Sequence, residues 1–153
     1  MRALALKVPP PVVALLVATG MWVAAMGGTS AELPYLARHV VALAIALAGG
    51  FISLAGVISF RQAKTTLNPM KPEKASSLVT TGIYRFTRNP MYLGLLFVLF
   101  AWAVFLASVW ALLGPVAFVF YIDRFQIAPE EAILAGMFGA AYTEYKARVR
   151  RWL

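Results

Sequence analysis

The sequence predicts an all-α membrane protein, a polytopic bundle of about four transmembrane helices followed by an amphipathic cytoplasmic helix at the C-terminus. Its 153 residues are 61% hydrophobic and only 13% charged. The mean hydropathy of +0.77 is far higher than that of a soluble domain. The apolar residues form long runs, and the lysines and arginines lie between those runs. We treat residues 1–153 as a single integral membrane domain.

The first apolar run, residues 8–26, predicts a transmembrane helix because it is about long enough to cross a bilayer core. A secretory signal peptide is the alternative. Three prolines, Pro9 to Pro11, would then lie inside its apolar region, and Gly27-Gly28 would be a poor cleavage site. We therefore interpret this run as a retained helix.

The second apolar run predicts another span over about residues 39–60. Within it, Gly49, Ser53 and Gly56 fall three or four residues apart and form one face of small side chains. Such a face lets a second helix approach closely in a membrane. The following residues, 61–81, are polar and contain prolines, which predicts a loop with turns.

The apolar stretch 90–127 is too long for one crossing at a rise of about 1.5 Å per residue. A turn near Ala107-Ser108 divides it into two spans of suitable length, with no charge at the turn. The alternative is one long helix that is kinked at Gly114-Pro115. We favour the turn, which predicts a tight hairpin of a third and a fourth helix.

The residues after Pro129 predict an amphipathic helix. Glu130 and Glu131 are placed in its first turn, where the helix dipole favours anions. Basic residues in its last turns indicate a helix that lies along an anionic membrane surface. Its apolar residues recur at helical spacing, at Leu134, Phe138, Ala141, Tyr142, Tyr145, Val149 and Trp152.

The basic residues predict that both termini are cytoplasmic, in a prokaryotic plasma membrane. Of the 14 lysines and arginines, all but Arg38 fall on one side of a four-helix arrangement. Those on the cytoplasmic side are Arg2, Lys7, Arg61, Lys64, Lys71, Lys74, Arg85, Arg88, Arg124, Lys146, Arg148, Arg150 and Arg151.

Charge and composition also exclude several classes of function. The net charge of +8 is explained by orientation in the bilayer, so we expect no nucleic-acid partner. The chain has no cysteine and a single histidine, His39, so a cysteine-based or multi-histidine metal site is excluded and we expect no metal. The oligomeric state cannot be read from these data.

The segment 82–94 is polar, bears arginines and runs directly into the third apolar helix. Asn89-Pro90 predicts a helix start, because an asparagine side chain can accept hydrogen bonds from first-turn amides and proline suits the first helical position. Glycines, tyrosines and arginines surround this start with the spacing Gly-x-Tyr-x-x-x-Arg-Asn-Pro-x-Tyr-x-Gly. The positions are Gly82, Tyr84, Arg88, Asn89, Pro90, Tyr92 and Gly94.

This pattern resembles that of the isoprenylcysteine carboxyl methyltransferase and phospholipid methyltransferase superfamily of membrane enzymes. A second segment strengthens the resemblance. It reads Glu130-Glu131-Ala132-Ile133-Leu134, and then Phe138-Gly139 with Tyr142, Tyr145 and Val149. The two motifs stand in the order of the family and are separated by one predicted helical hairpin.

The resemblance implies S-adenosylmethionine as the cofactor, bound within residues 78–153. A carboxylate at Glu130 or Glu131 would accept hydrogen bonds from its ribose or ammonium, and Arg88 would suit its carboxylate. Aromatic rings would wall its adenine or sulfonium, and glycines would let the backbone approach it. The residues expected to bind it are Gly82, Tyr84, Arg88, Asn89, Pro90, Tyr92, Gly94, Glu130 and Glu131.

The resemblance also implies methyl transfer as the reaction. A sulfonium and an anionic nucleophile lose charge on the way to the transition state, so a dry site favours the step. A carboxylate acceptor needs no base, whereas an amine or a thiol must lose a proton. The candidate bases are Glu130, Glu131 and Tyr145, of which Glu130 and Tyr145 are the predicted catalytic residues together with Arg148, which would orient an acceptor carboxylate.

We expect a lipid-like acceptor, an isoprenylcysteine carboxylate or a lipid head group, that reaches the site from the surrounding membrane lipids. The motifs lie at the predicted cytoplasmic ends of the helices, so the donor would arrive from the cytosol. The positions expected to contact an acceptor tail are Leu95, Leu96, Leu99, Phe118, Val119 and Ile122.

Structural explanations remain open for the same residues. The tyrosines suit an aromatic belt, Arg88 a positive-inside anchor and the glutamates dipole complementation. Arg148 could instead pair with Glu144 one helical turn away. Two other functions are alternatives. One is an NADPH-dependent membrane reductase, since sterol reductases share an Arg-His-Pro-x-Tyr-like segment, and the other is a non-catalytic membrane scaffold.

Overall fold

The computed structural model describes residues 6–27, 34–63 and 76–153, and these form helices and short connections without a strand. This confirms the all-α class. The α-helices are α1 Pro10–Met26, α2 Tyr35–Gln62, α3 Pro90–Leu106, α4 Leu113–Ile122 and α5 Ala128–Arg148. Short 3₁₀ turns cover Gly82–Arg85 and Trp110–Leu112, and a π turn covers Asp123–Ile127. Arg2, Gly28, Lys64, Lys71, Lys74 and most of the predicted 61–81 loop lie outside the described residues.

Among the described residues, two helical segments are long and apolar enough to cross a membrane by length and composition, Tyr35–Gln62 and the run Trp110–Arg148. Two shorter apolar helices, Pro10–Met26 and Pro90–Leu106, have 17 residues each. The chain therefore has the helices of a membrane protein. The count of four spans and the orientation of the termini stay predictions.

The hairpin of α3 and α4 is confirmed. α3 ends at Leu106, and Ala107 adopts the left-handed conformation with φ 50°. Its N–H donates to the carbonyl of Val104, which closes the last turn of α3. Gly114-Pro115 lies at the start of α4 and does not interrupt a longer helix.

The small-residue face of α2 is also confirmed, and it packs against α3. A Cβ on Gly49 would lie 2.7 Å from the carbonyl oxygen of Gly94 and 2.8 Å from the Cβ of Phe97. A Cβ on Gly56 would lie 3.1 Å from Met91. These distances leave no room for a larger side chain, so the glycines set the spacing of the two helices.

α1 packs on α3 and α4 on the other side of α3. The indole Nε1–H of Trp102 donates to the carbonyl of Ala18 at 3.0 Å. Met21 fills the space beside Gly114, where a methyl group would collide with its thioether. The largest side chains of the resulting core are fully buried, at Leu99, Phe118 and Ile122.

The burial of these three residues corrects the expected path for an acceptor tail. Leu99, Phe118 and Ile122 were expected to face lipid, but they point into the contact between α1, α3 and α4. Periodicity could not separate the two faces, because both faces of a membrane helix are apolar. The outward faces of α3 and α4 carry Val98, Phe100, Phe105, Val116 and Phe120.

The start of the C-terminal helix differs from the prediction. No new helix begins at Pro129, because Ile127 before α5 has helical angles (φ −64°, ψ −48°) and the π turn joins α4 to α5. Pro129 has no N–H to offer the carbonyl of Phe125 four residues earlier. That carbonyl instead accepts the N–H of Leu6 at 3.0 Å. A contact from the distant N-terminal segment thus lets the helix continue past proline.

Two consequences follow for the C-terminal part. Glu130 and Glu131 do not lie at a free helix N-terminus, so complementation of a helix dipole does not explain them. The amphipathic helix is also not straight, because Gly139 has φ 52° and ψ −123° and breaks α5 into two parts. Only glycine adopts such angles without strain.

Candidate active site

The motif segment begins with a turn that packs on the end of α2. Gly82 has φ +61°, and a Cβ there would lie 2.6 Å from the Oγ of Ser59. Tyr84 in the same turn is buried, with its ring edge-on to Phe60 at 5.2 Å. Burial, with smaller contributions from Tyr145 and Glu130, raises the pKa of Tyr84 far above its ordinary value. The Tyr84 hydroxyl therefore stays protonated.

The start of α3 is confirmed in part. Pro90 occupies the first helical turn, as expected. Asn89 precedes it at the cap position, but its side chain makes no capping hydrogen bond. Its Nδ2 instead donates to the carbonyl of Arg151 at 2.9 Å, and its backbone N–H donates to Thr87 Oγ1 at 3.2 Å. The asparagine thus ties α3 to the C-terminal tail.

Arg88 lies between α3 and α5 with only 9% of its side chain exposed. Its Nη2 donates to Glu131 Oε1 at 2.8 Å, and its Nη1 donates to the carbonyl of Lys146 at 3.1 Å. Its backbone N–H donates to the carbonyl of Arg150 at 3.0 Å. Its Nε is buried and has no hydrogen-bond partner among the described residues. An arginine that only anchors the chain at the cytoplasmic membrane surface would be exposed to solvent, so the burial of Arg88 argues against that explanation.

Glu131 is the acceptor at the centre of a cluster of cations. Besides Arg88, Arg151 donates to it from Nη2 at 2.7 Å and from Nε at 3.2 Å. Lys146 Nζ lies 3.7 Å away but is half-exposed. Hydrogen bonding to Glu131 raises the pKa of Arg151, against the opposing effect of burial. The negative charge of the Glu131 carboxylate is therefore compensated by cations of the protein itself.

Glu130 has a different environment. The hydroxyl of Tyr92 donates to Glu130 Oε1 at 2.5 Å. Tyr92 is buried, whereas Glu130 is partly exposed. No other hydrogen bond to Glu130 is found among the described residues. This carboxylate is held by one partner and has capacity for further donors.

These contacts bring both sequence motifs to one end of the bundle, where α3 begins and α5 begins. A family model described as "Phospholipid methyltransferase" matches residues 37–141. The match covers more than half of the chain and spans α2, α3, α4 and most of α5. The chain belongs to the phospholipid methyltransferase family.

Curated relatives agree with this family. A protein-S-isoprenylcysteine O-methyltransferase of Saccharomyces cerevisiae is 39% identical over 85 residues, which cover 52% of this chain and 33% of that protein. Its namesake in Schizosaccharomyces pombe is 29% identical over 116 residues, or 71% of this chain and 46% of that protein. An uncharacterized protein of Haemophilus influenzae is 49% identical over 63 residues, 41% of this chain and 100% of that protein.

The chain thus spans less than half of the length of the two yeast relatives. Membership of the family rests on the region where the motifs lie, and the relatives with a named activity are methyltransferases. The comparisons therefore favour the methyltransferase interpretation over the reductase and the scaffold.

Two of the candidate catalytic residues of this family member lie in unexpected surroundings. Tyr145 is buried, and its hydroxyl donates to the backbone carbonyl of Tyr84 at 2.8 Å. Arg148 is exposed and makes none of the ion pairs found in the described part of the chain, including the alternative pair with Glu144. Their catalytic roles stay predictions.

Gly94 also has a structural explanation in this family member. A Cβ there would collide with the Oγ of Ser53 and would lie 2.5 Å from the carbonyl oxygen of Gly49. Gly94 and Gly82 both face α2, so helix packing already requires glycine at the two positions. Their predicted approach to a cofactor stays a prediction.

Four residues of this region were not among the predicted site residues, namely Thr87, Asp123, Arg151 and Trp152. Arg151 Nη1 lies 3.5 Å from Asp123 Oδ1, and the indole of Trp152 donates to the same oxygen at 3.2 Å. The Thr87 hydroxyl is buried and donates to the Arg151 carbonyl at 3.3 Å. Of these four, only Asp123 could have been identified from the sequence, because an acidic residue at the end of an apolar run suggests a functional site.

Proposed function

We propose that this protein is an S-adenosylmethionine-dependent methyltransferase that acts in the membrane on an amphiphilic acceptor. The observation that carries the proposal is the Glu130–Tyr92 pair beside the buried Arg88–Glu131 pair. Both belong to the two motifs of the family, and both lie where α3 and α5 begin. Residues 78–153 are the proposed cofactor-binding and catalytic region.

The hydrogen-bonding groups in this region fit S-adenosylmethionine. Glu130 is partly exposed and has acceptor capacity beyond the hydroxyl of Tyr92, which suits ribose hydroxyls or an ammonium. The buried Nε of Arg88 has no hydrogen-bond partner in the part of the chain that the structure describes, and it suits an acceptor oxygen of the ligand. Because Arg88 and Arg151 already match Glu131, we assign the cofactor contact to Glu130. Tyr84, Asn89 and Pro90 complete the proposed lining.

The bound cofactor would supply a methyl group made electrophilic by a sulfonium. The chain supplies a site from which water is largely excluded, since Tyr84, Tyr92 and Tyr145 are buried around it. Such a site favours a transfer in which opposite charges merge. For an amine or thiol acceptor, Glu130 is the proposed base, because its carboxylate is the least committed in the cluster.

The other two candidates receive supporting roles. The Tyr145 hydroxyl already donates to the Tyr84 carbonyl, so we propose that it positions the turn that carries Tyr84. Arg148 is exposed at the end of α5 and suits the anionic group of an acceptor at the membrane surface. The proposed acceptor classes are an isoprenylcysteine carboxylate and a lipid head group.

Calorimetry on the detergent-solubilised protein tests the donor. We expect S-adenosylmethionine and its demethylated product to bind and NADPH not to bind. Glu130→Gln should weaken donor binding by about tenfold, roughly 1.4 kcal/mol. The matched control is Glu144→Gln, an exposed glutamate on the same helix, which should leave the affinity unchanged. NADPH binding without donor binding would favour the reductase, and binding of neither ligand would favour the scaffold.

A series of acceptors with shortened tails tests the acceptor. Methylation should be fastest with prenylated or acylated compounds in liposomes and should fall as the tail is shortened. The physical reason is partitioning, because each methylene contributes about 0.8 kcal/mol to leaving water. Equal rates for a tailless, water-soluble acceptor at the same bulk concentration would contradict the lipid-like acceptor.

A further inference from the structure

Arg151 occupies a place that neither motif explains. It lies beyond the last helix, yet its side chain reaches two carboxylates on different helical segments. Nη2 and Nε contact Glu131 at 2.7 and 3.2 Å, and Nη1 lies 3.5 Å from Asp123. Glu131 is on α5, whereas Asp123 is the first residue of the π turn. The guanidinium therefore bridges the start of the π turn and the first turn of α5.

We propose that Arg151 is a positioning residue of the donor site, which holds α5 so that Glu130 faces Tyr92. This inference rests on the proposed function. Consecutive residues on a helix point roughly 100° apart. Anchoring Glu131 on the side of Arg88 and Arg151 therefore sets the direction of Glu130. The π turn holds more residues per turn than an α-helix, so it changes the rotation of α5 about its own axis relative to α4. A contact outside the turn, such as that of Arg151, can fix this rotation.

The backbone of the same tail holds the other half of the site. After α5 the chain becomes extended at Val149, with φ −120° and ψ 131°. The carbonyl of Arg150 accepts the N–H of Arg88, and the carbonyl of Arg151 accepts from the side chains of Thr87 and Asn89. The segment Thr87 to Asn89, directly before α3, is thus hydrogen-bonded to the backbone carbonyls of Arg150 and Arg151.

The several N–H groups of a guanidinium explain why position 151 requires arginine. Two nitrogens donate to Glu131 while a third is directed at Asp123, an arrangement that a single ammonium cannot reproduce. Lysine at position 151 would keep the charge and could pair with one carboxylate. We therefore expect Arg151→Lys to retain part of the function and Arg151→Gln to lose it.

The chain provides a matched control in the preceding residue. Arg150 is exposed, and its side chain makes none of the ion pairs of the described residues. Arg150→Gln removes the same charge from the same tail and leaves the bridge intact. Comparing the two substitutions separates the bridge from the net charge of the membrane-facing tail.

The test measures donor affinity by calorimetry, donor KM and kcat, and thermal unfolding for each variant in detergent. We expect Arg151→Gln to raise the dissociation constant of S-adenosylmethionine by about tenfold or more. The donor KM should rise by more than kcat falls. Arg151→Lys should give a smaller rise, and Arg150→Gln should stay within about twofold of the wild-type protein.

Asp123→Asn keeps the proposal testable if Arg151→Gln does not fold. It removes the negative charge that faces Arg151 Nη1 at 3.5 Å, whereas the amide oxygen can still accept the hydrogen bonds of Trp152 and Arg151. We expect a rise of about threefold in the dissociation constant. An unchanged constant in this variant would overturn the proposal.

Three other outcomes would also overturn it. Arg151→Gln could lower the melting temperature but leave donor affinity unchanged, which would make the bridge purely structural. Arg150→Gln could match Arg151→Gln, which would make the effect one of net charge. A folded wild-type protein that bound no donor would contradict the proposed function itself, and the inference with it.

Discussion

We expect Glu131→Gln to lower the free energy of unfolding, although glutamine has nearly the same size and shape as glutamate. Glu131 and Arg88 have only 10% and 9% of their side chains exposed, so their pair is buried. Removing one partner of a buried pair costs about 3–5 kcal/mol, because the other charge is left without compensation. Arg151 and Lys146 are 34% and 52% exposed and can be hydrated again. Each of their contacts adds at most about 1 kcal/mol.

Thermal unfolding in detergent, followed by tryptophan fluorescence, measures this loss. For a chain of this length each kcal/mol lowers the melting temperature by roughly 2–4 °C, so we expect a decrease of about 6–20 °C. Lys146→Met is the matched control, because it removes the exposed partner of the same carboxylate and should cost about 0–1 kcal/mol. Equal, small decreases in both variants would refute the reasoning that Glu131 compensates a buried charge.

Three further predictions concern packing, the tyrosine contact and topology. Gly94→Ala should destabilise by about 1–3 kcal/mol or more, since it places a methyl group in the α2–α3 contact. Gly50→Ala, with no atom within 4 Å of the new methyl, should be neutral or stabilising by about 0.5–1 kcal/mol; equal melting temperatures would contradict this packing. Tyr145→Phe should cost about 1–3 kcal/mol by leaving the Tyr84 carbonyl without its donor, with kcat per folded molecule retained. A loss of about 100-fold or more in kcat at unchanged stability would instead make the hydroxyl catalytic. Reporter fusions in the 61–81 loop and at the C-terminus should both report the cytoplasm, and reporters on opposite sides would contradict the four-span topology.

Features set by local chemistry were predictable. The turn at Ala107-Ser108 followed from the length of one apolar stretch, and the structure places the end of α3 there. The small-residue face of α2 followed from spacing, and its glycines do contact α3. Pro90 in the first turn of α3 followed from the missing N–H of proline. In each case the prediction needed only the residues of one continuous segment of the chain.

The partners of polar groups were not predictable in this way. Asn89 has the chemistry of a cap, but the Arg151 carbonyl 62 residues away takes its amide. Glu131 was predicted to bind the cofactor, with complementation of a helix terminus as the alternative; its carboxylate is paired with Arg88, 43 residues earlier, and with Arg151. Side chains with several possible partners bond to whichever partner the fold brings near, and sequence spacing does not encode that distance.

The amino-acid sequence was sufficient to predict that the chain is helical and apolar, where most of the helices lie, and where the polar motif residues stand in the family pattern. These properties depend on hydropathy and on backbone preferences, which act over a turn or two. The continuation of the helix through Pro129 could be seen only in the folded chain, because the carbonyl of Phe125, which proline leaves without an N–H donor, accepts the amide of Leu6 from the N-terminal segment. The tertiary structure also distinguished Glu130 from Glu131, since adjacent residues on a helix face different neighbours, here Tyr92 for one and a pair of arginines for the other.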